Sequence, residues 1–232
     1  MNTLTDSALI RLQTWLSPSF PVGAFAYSHG LEYAVETGAV HDVDSLAQWV
    51  SGIISFGAGR LDAMLFRAAF EAMRDGNDER LAQIVERADA QRGTLEMALE
   101  STSQGRAFLE TLLKTWPQPE LLQWQAQLNF AQRQPAYCVA LGGACALAHM
   151  PLRPALAAYL NAFAANLVSA VVRLIPLGQT DGQRALLSLE DTIIEAAAAA
   201  MKRDPNDLGG ASLCVDWMSM QHETQYTRLF RS

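Results

Sequence analysis

Lysine is nearly absent. Lys114 and Lys202 are the only two among seventeen basic residues, set against twenty-four acidic ones. The formal net charge of −7 leaves no cationic surface to neutralise phosphates, which excludes the electrostatic footprint of a nucleic-acid binder. Arginine carries the positive charge instead, and its planar fork suits bidentate contacts to carboxylates and carbonyls. Cysteine is also scarce: Cys138, Cys145 and Cys214 are odd in number and lack the clustered spacing of a disulfide framework. The opening residues MNTLTDSALIRLQTWL lack the basic, apolar and small-residue regions of a secretory leader. The expectation is a cytoplasmic protein with reduced thiols.

Catalytic signatures are missing too. Neither lysine lies in a phosphate-binding Gly-x-x-x-x-Gly-Lys-Ser/Thr loop, no Gly-x-Ser-x-Gly elbow occurs, and His222-Glu223 lacks the second histidine of a zinc-protease helix. Strand-like alternation never persists beyond a few residues, and no internal repeat stands out.

What is present is apolar helical periodicity. Half of the residues are hydrophobic and 18% are charged, the balance of a chain that folds around a core. Leu9, Leu12, Trp15 and Leu16 mark a first helix; Phe25, Tyr27, Leu31, Ala34 and Val35 a second, ended by Gly38. Ser45 is the expected cap of a third helix and Asp78 of a later one, while Gly57 and Gly59 interrupt the pattern between them. A helix from Leu95 to Trp116 stops at Pro117 and Pro119, and a last one runs from Leu186 through the alanines to Ala200. Residues 202–212 contain the turn residues of a connector.

Residues 134–152 and 154–172 hold no Asp, Glu, Lys or Arg, a length that could span a bilayer. Their apolar content is largely alanine, interrupted by glycines, a proline, Asn161 and Asn166, so they read as buried central helices. Gly142 and Gly143 offer a point of close backbone approach. The expected fold is all-α: a single-domain bundle of about eight to ten helices over residues 1–232, with 1–16 and 202–232 as mobile terminal segments.

Metal candidates are few. Cys138, Cys145 and His149 share one helical face, but Cys138 and His149 stand about 16 Å apart along a helix, which leaves Cys145 and His149 as the one chelating pair. The competing account is two buried thiols and a histidine at a helix end before Pro151. His29, behind a fixed loop, is the other candidate, whereas His41 belongs to a solvated connector. Ser28 and His29, being neighbours, cannot face each other as nucleophile and base.

Three segments remain unexplained by helix packing. The first is the loop SPSFPVGAFAYSHGLEYAVETG, where Pro18, Pro21 and Gly23 fix a rigid turn. The second is RLIPLGQTDGQ, where Asp181 can cap the next helix, Gln179 and Gln183 have no structural explanation, and Arg173 serves either a helix C-terminus or an interface. The third is the tail HETQYTRLFRS, whose Tyr226, Arg228, Leu229 and Phe230 either dock on a partner or pack back on the bundle.

These three segments, in this order, resemble the urease accessory protein family UreF over essentially the whole chain. One position departs: where the family commonly has Tyr-Ser-Gln-Gly-Leu-Glu, this chain has Tyr27-Ser28-His29-Gly30-Leu31-Glu32. The resemblance implies an all-helical cytoplasmic homodimer that is no enzyme itself. It implies a scaffold that binds UreD (UreH) and recruits the GTPase UreG, modulating it, for GTP-dependent nickel insertion into apo-urease. No cofactor would be bound stably; nickel would be in transit and GTP would sit on UreG. Partner contacts would fall on Pro21, Gly23, Phe25, Tyr27, Ser28, His29, Gly30 and Glu32, with Phe25, Tyr27, His29 and Glu32 presented at the surface. Further contacts would come from Arg173, Gln179, Asp181 and Gln183, and from Tyr226, Arg228, Leu229 and Phe230 in the tail. The alternative reading is a helical enzyme or sensor with a small molecule or metal at the Cys145/His149 face or the two loops.

Overall fold

Helix answers the apolar periodicity throughout. The computed structural model describes residues 3–231 and has, among them, twelve α-helices and no strand. Met1, Asn2 and Ser232, the outermost residues of the terminal segments read as mobile, lie outside the described residues. The first half comprises α1 (Asp6–Trp15), α2 (Leu31–Glu36), α3 (Val43–Phe56), α4 (Ala58–Arg74), α5 (Asp78–Ala90) and α6 (Leu95–Thr115). The second comprises α7 (Pro119–Phe130), α8 (Tyr137–Leu147), α9 (Leu152–Val172), α10 (Gln179–Ser188), α11 (Glu190–Lys202) and α12 (Leu213–His222).

The count exceeds the expected eight to ten for local reasons. Pro119 starts α7 at a position where a missing N–H costs nothing, rather than only ending the previous helix. Leu189 divides the expected last helix into α10 and α11, and α12 follows the connector. Three expected caps also shift. Asp42 caps α3, its carboxylate accepting from Ser45 N at 2.8 Å, while the Ser45 side chain reaches back to Asp42 N. Asn77, not Asp78, caps α5. Asp181 sits inside the first turn of α10 and accepts from Gly178 N at 3.1 Å.

The middle of the molecule is α8 against α4, with α9 beside both. Gly142 permits this contact: a Cβ there would lie 2.5 Å from the Phe66 carbonyl oxygen. Gly142→Ala is therefore expected to push α8 off α4 at a cost of about 1–3 kcal/mol. A urea-unfolding midpoint unchanged from wild type would contradict this.

A membrane hairpin needs two spanning helices, and α8 has 11 residues. α9 is long and apolar enough by length and composition, but half of its most apolar window is buried inside the protomer, where it packs on α2, α3, α4, α10 and α11.

Candidate functional site

Residues 16–30 fold as the prolines and glycines require. Phe20 N donates to Ser17 O, Gly23 takes a left-handed φ of 75°, and a short 3-10 turn, Ala24–Ala26, leads to extended Tyr27. His29 and Gly30 are then both left-handed, at φ 58° and 78°. A Cβ on Gly30 would come within 2.8 Å of Ser219 N, so the start of α2 and the backbone of α12 touch here.

That contact corrects one expectation. Phe25 is exposed, as are Pro21 and Gly23, but Tyr27, Ser28, His29, Gly30 and Glu32 are buried, Gly30 against α12 and Glu32 under the tail. Glu32, in the first turn of α2, is the reason the tail lies where it does. Its carboxylate accepts from Leu229 N at 2.6 Å and Phe230 N at 2.9 Å, and lies 3.1 Å from His222 Nε2. On the other side of the ring, His222 Nδ1 stands 2.8 Å from Glu96, which also accepts from Arg228 at 3.2 Å. Burial raises the Glu96 carboxyl against the opposing pull of His222 and Arg228.

Arg173 joins the third segment to the first two. From the end of α9 its Nε donates to Ser169 O, while both terminal nitrogens donate to Phe25 O at 3.0 Å. Its guanidinium carbon sits 3.6 Å from the Phe25 ring centroid and 4.4 Å from that of Phe230. Arg231 N donates to Ala26 O, and Asn166 Nδ2 to Ala24 O. Arg173 thus sits at the C-terminal end of α9, and its guanidinium is engaged by Phe25 and Phe230 within the chain. The first loop, Arg173 and the tail form a clasp.

The clasp takes in only part of the expected set. Gln179 and Gln183 are exposed on α10, and Asp181 pairs with Arg184 at 2.9 Å. In the tail, Phe230 is buried, but Tyr226 is fully exposed and Leu229 is 64% exposed. α12 adds to this surface through Leu213, Trp217 and Met220, all exposed, whereas its inner face carries Val215, Ser219 and His222.

The other metal candidates separate. α8 ends at Leu147, His149 turns left-handed at φ 52° and lies exposed, and Cys145 is wholly buried, so the i, i+4 geometry of a chelating pair is lost. Among the described residues no group of three or more His, Cys, Asp or Glu could hold a metal ion.

Below the first loop, α1, α6 and α9 enclose a cavity of about 610 Å³. Its apolar wall includes Leu12, Leu16 and Phe163; its polar floor includes His29, Glu100 and the buried pair Asp62–Arg92 at 2.7 Å. Tyr159 Oη donates to Asp62 at 2.6 Å. Burial pulls the Arg92 proton affinity down, but the neighbouring Asp62 outweighs it and the guanidinium is firmly charged. Apart from His29, sequence reading missed these groups, although Glu96, Glu100 and Gln104, spaced by four on α6, are a polar stripe that the structure buries.

Burial alone raises the Cys145 thiol, and burial followed by Asp62 raises that of Cys138. Both groups stay protonated in the folded chain, so their stabilising effect is complete below the ordinary thiol value of 9.0 and is lost as pH climbs past it. At pH 8 an aromatic disulfide reagent is expected to label one thiol per native chain, exposed Cys214, and all three after denaturation. Rapid labelling of all three without denaturant would contradict the burial of α8.

Comparison with known proteins covers nearly the whole chain. The UreF family model matches residues 40–190, more than half of the chain. The chain is 46% identical over 226 residues to the urease accessory protein UreF of Rhodopseudomonas palustris strain BisA53, covering 97% of this chain and 94% of that protein. It is 46% identical over 227 residues to its namesake from Granulibacter bethesdensis, covering 98% and 95%. To the protein of that name from Magnetococcus marinus it is 43% identical over 232 residues, covering 98% and 99%.

Proposed function

The chain belongs to the UreF family of urease accessory proteins, and on that premise we propose that it is the non-catalytic, cytoplasmic scaffold on which urease receives its nickel. As a homodimer it binds UreD (UreH), recruits UreG and modulates its GTP hydrolysis, and through them engages apo-urease. Nickel is cargo of that assembly and GTP is held by UreG. The observation that carries the reading is the clasp. It holds Phe25, Tyr226 and Leu229 exposed on a framework whose inner residues are fixed by Glu32 and Arg173. Apolar groups presented from a pre-ordered backbone lose little freedom on docking, which favours affinity for a protein partner.

Capture of UreD by the full chain tests this directly. The double variant Tyr226→Ala/Leu229→Ala removes two exposed side chains and leaves the backbone bonds of the clasp in place, so the fold is expected to persist. UreD affinity is expected to fall about 10- to 100-fold, the range of interface anchor residues, with retention of UreG falling in parallel. Wild-type capture of both partners by this variant would remove the tail from the docking surface.

A further inference from the structure

His29 is held in an arrangement that its surroundings leave incomplete. Its Nδ1 lies 3.1 Å from Glu100 Oε2, both side chains being buried. A carboxylate accepts, so Nδ1 carries the proton, and in the neutral ring the lone pair is then on Nε2. That Nε2 is buried and has no hydrogen-bond partner among the described residues. Leaving such an atom unpaired in the interior is unfavourable. The backbone is also held in an unfavourable region, since His29 is a non-glycine residue at φ 58°. The ring is fixed edge-on against Phe163, with centroids 5.5 Å apart.

The imidazole lines two spaces. One is the large cavity; the other is a smaller one of about 90 Å³ between the α5–α6 connection and α12. Asp216 and Arg92 both line the smaller space; Arg92 is paired with Asp62, and Asp216 accepts no hydrogen bond from a described residue. Its carboxylate lies over Gly93, where a Cβ would come within 2.9 Å of Oδ1, so this glycine leaves the space open. The space has room for an ion with a few waters, each of which occupies about 30 Å³ in the liquid.

We propose that His29 Nε2 and Asp216 form a weak, exchangeable site for a borderline divalent transition-metal ion, with Glu100 orienting the imidazole. The ligand class follows from the donors. An imidazole nitrogen backed by a carboxylate at its other nitrogen is the usual presentation of a metal-binding histidine. One nitrogen and one carboxylate oxygen, completed by water, suit Ni²⁺, Co²⁺ or Zn²⁺ and discriminate against Mg²⁺, which prefers oxygen donors alone. Two protein ligands give exchange rather than storage. The site deepens the nickel-handling reading above but is tested by binding, so its failure leaves the scaffold role standing.

The test is titration of the purified full chain with NiCl₂, followed by calorimetry and by the ¹⁵N shifts of the histidine rings, with MgCl₂ as the comparison. His41→Gln/His149→Gln is the starting background, since both histidines are surface ligands outside the site. One Ni²⁺ per chain is expected, shifting the His29 Nε2 resonance, with no response to Mg²⁺. His29→Gln in this background is expected to weaken binding at least tenfold, and Asp216→Asn about fivefold. Zinc X-ray absorption on the same background chain, which does not depend on the folding of a variant, is expected to show one imidazole and oxygen ligands. Equal Ni²⁺ affinity with and without His29, an unmoved His29 resonance, or an equal response to Mg²⁺ overturns the site. Loss of Ni²⁺ binding with unchanged capture of UreD separates this site from the docking surface.

Discussion

Glu32→Ala is expected to free the C-terminal tail and lower the melting temperature by about 10 °C. The Glu32 carboxylate serves Leu229 N, Phe230 N and His222 Nε2 from a buried position. Its removal leaves the two amides and one face of the imidazole without a partner where water has little access. Stranding each of these three buried polar groups costs about 1–3 kcal/mol. Release of the tail lets the amides find water, which caps the loss near the lower end of their sum. A chain of this size loses about 2–4 °C per kcal/mol. The Arg173 stack on Phe230 and the Arg228 bond to Glu96 act on the same segment and are too weak to hold it alone. Hydrogen exchange is the direct readout: the amides of Leu229, Phe230 and Arg231 are expected to lose protection while those of α4 and α8 keep theirs. Retained protection in the tail would show that Glu32 is not its anchor.

Asp62→Ala should destabilise the core by about 3–5 kcal/mol, the usual result of removing one partner from a buried ion pair. Arg92 is then left charged, because its guanidinium does not deprotonate at working pH, and Tyr159 loses its acceptor. The cost is carried mostly by the stranded cation. The double variant Asp62→Ala/Arg92→Met is accordingly expected to recover more than half of the lost stability, a coupling that a double-mutant cycle measures. Additive losses in that cycle would mean that the two groups act independently.

These two sites also mark where sequence reading stops. The helices around the core were legible because their apolar residues recur at helical spacing on one face, as Leu46, Val50, Ile53 and Ile54 do on α3. α12 was not, because its pattern is inverted: Ser219 and His222 face inward while Leu213, Trp217 and Met220 face outward. A periodicity rule places the apolar side inside, so it finds no ordinary helix there. α7 was hidden by its many glutamines and by prolines that serve one helix as a stop and the next as a start. The three segments of the clasp were each legible, but their meeting was not, since Glu32 and Phe230 are far apart in sequence and only the packing of α12 on α2 brings them together. The burial of Tyr27, His29 and Glu32 follows from the same packing, which local spacing does not encode.

The central claim is that this chain is needed for nickel to reach urease. The measurement that tests it most directly is the nickel content and activity of urease purified from cells expressing the urease subunits, UreD and UreG, with and without this chain. The account predicts nickel-poor, inactive urease when the chain is absent and full loading when it is present. Equal nickel and equal activity in both preparations would contradict it.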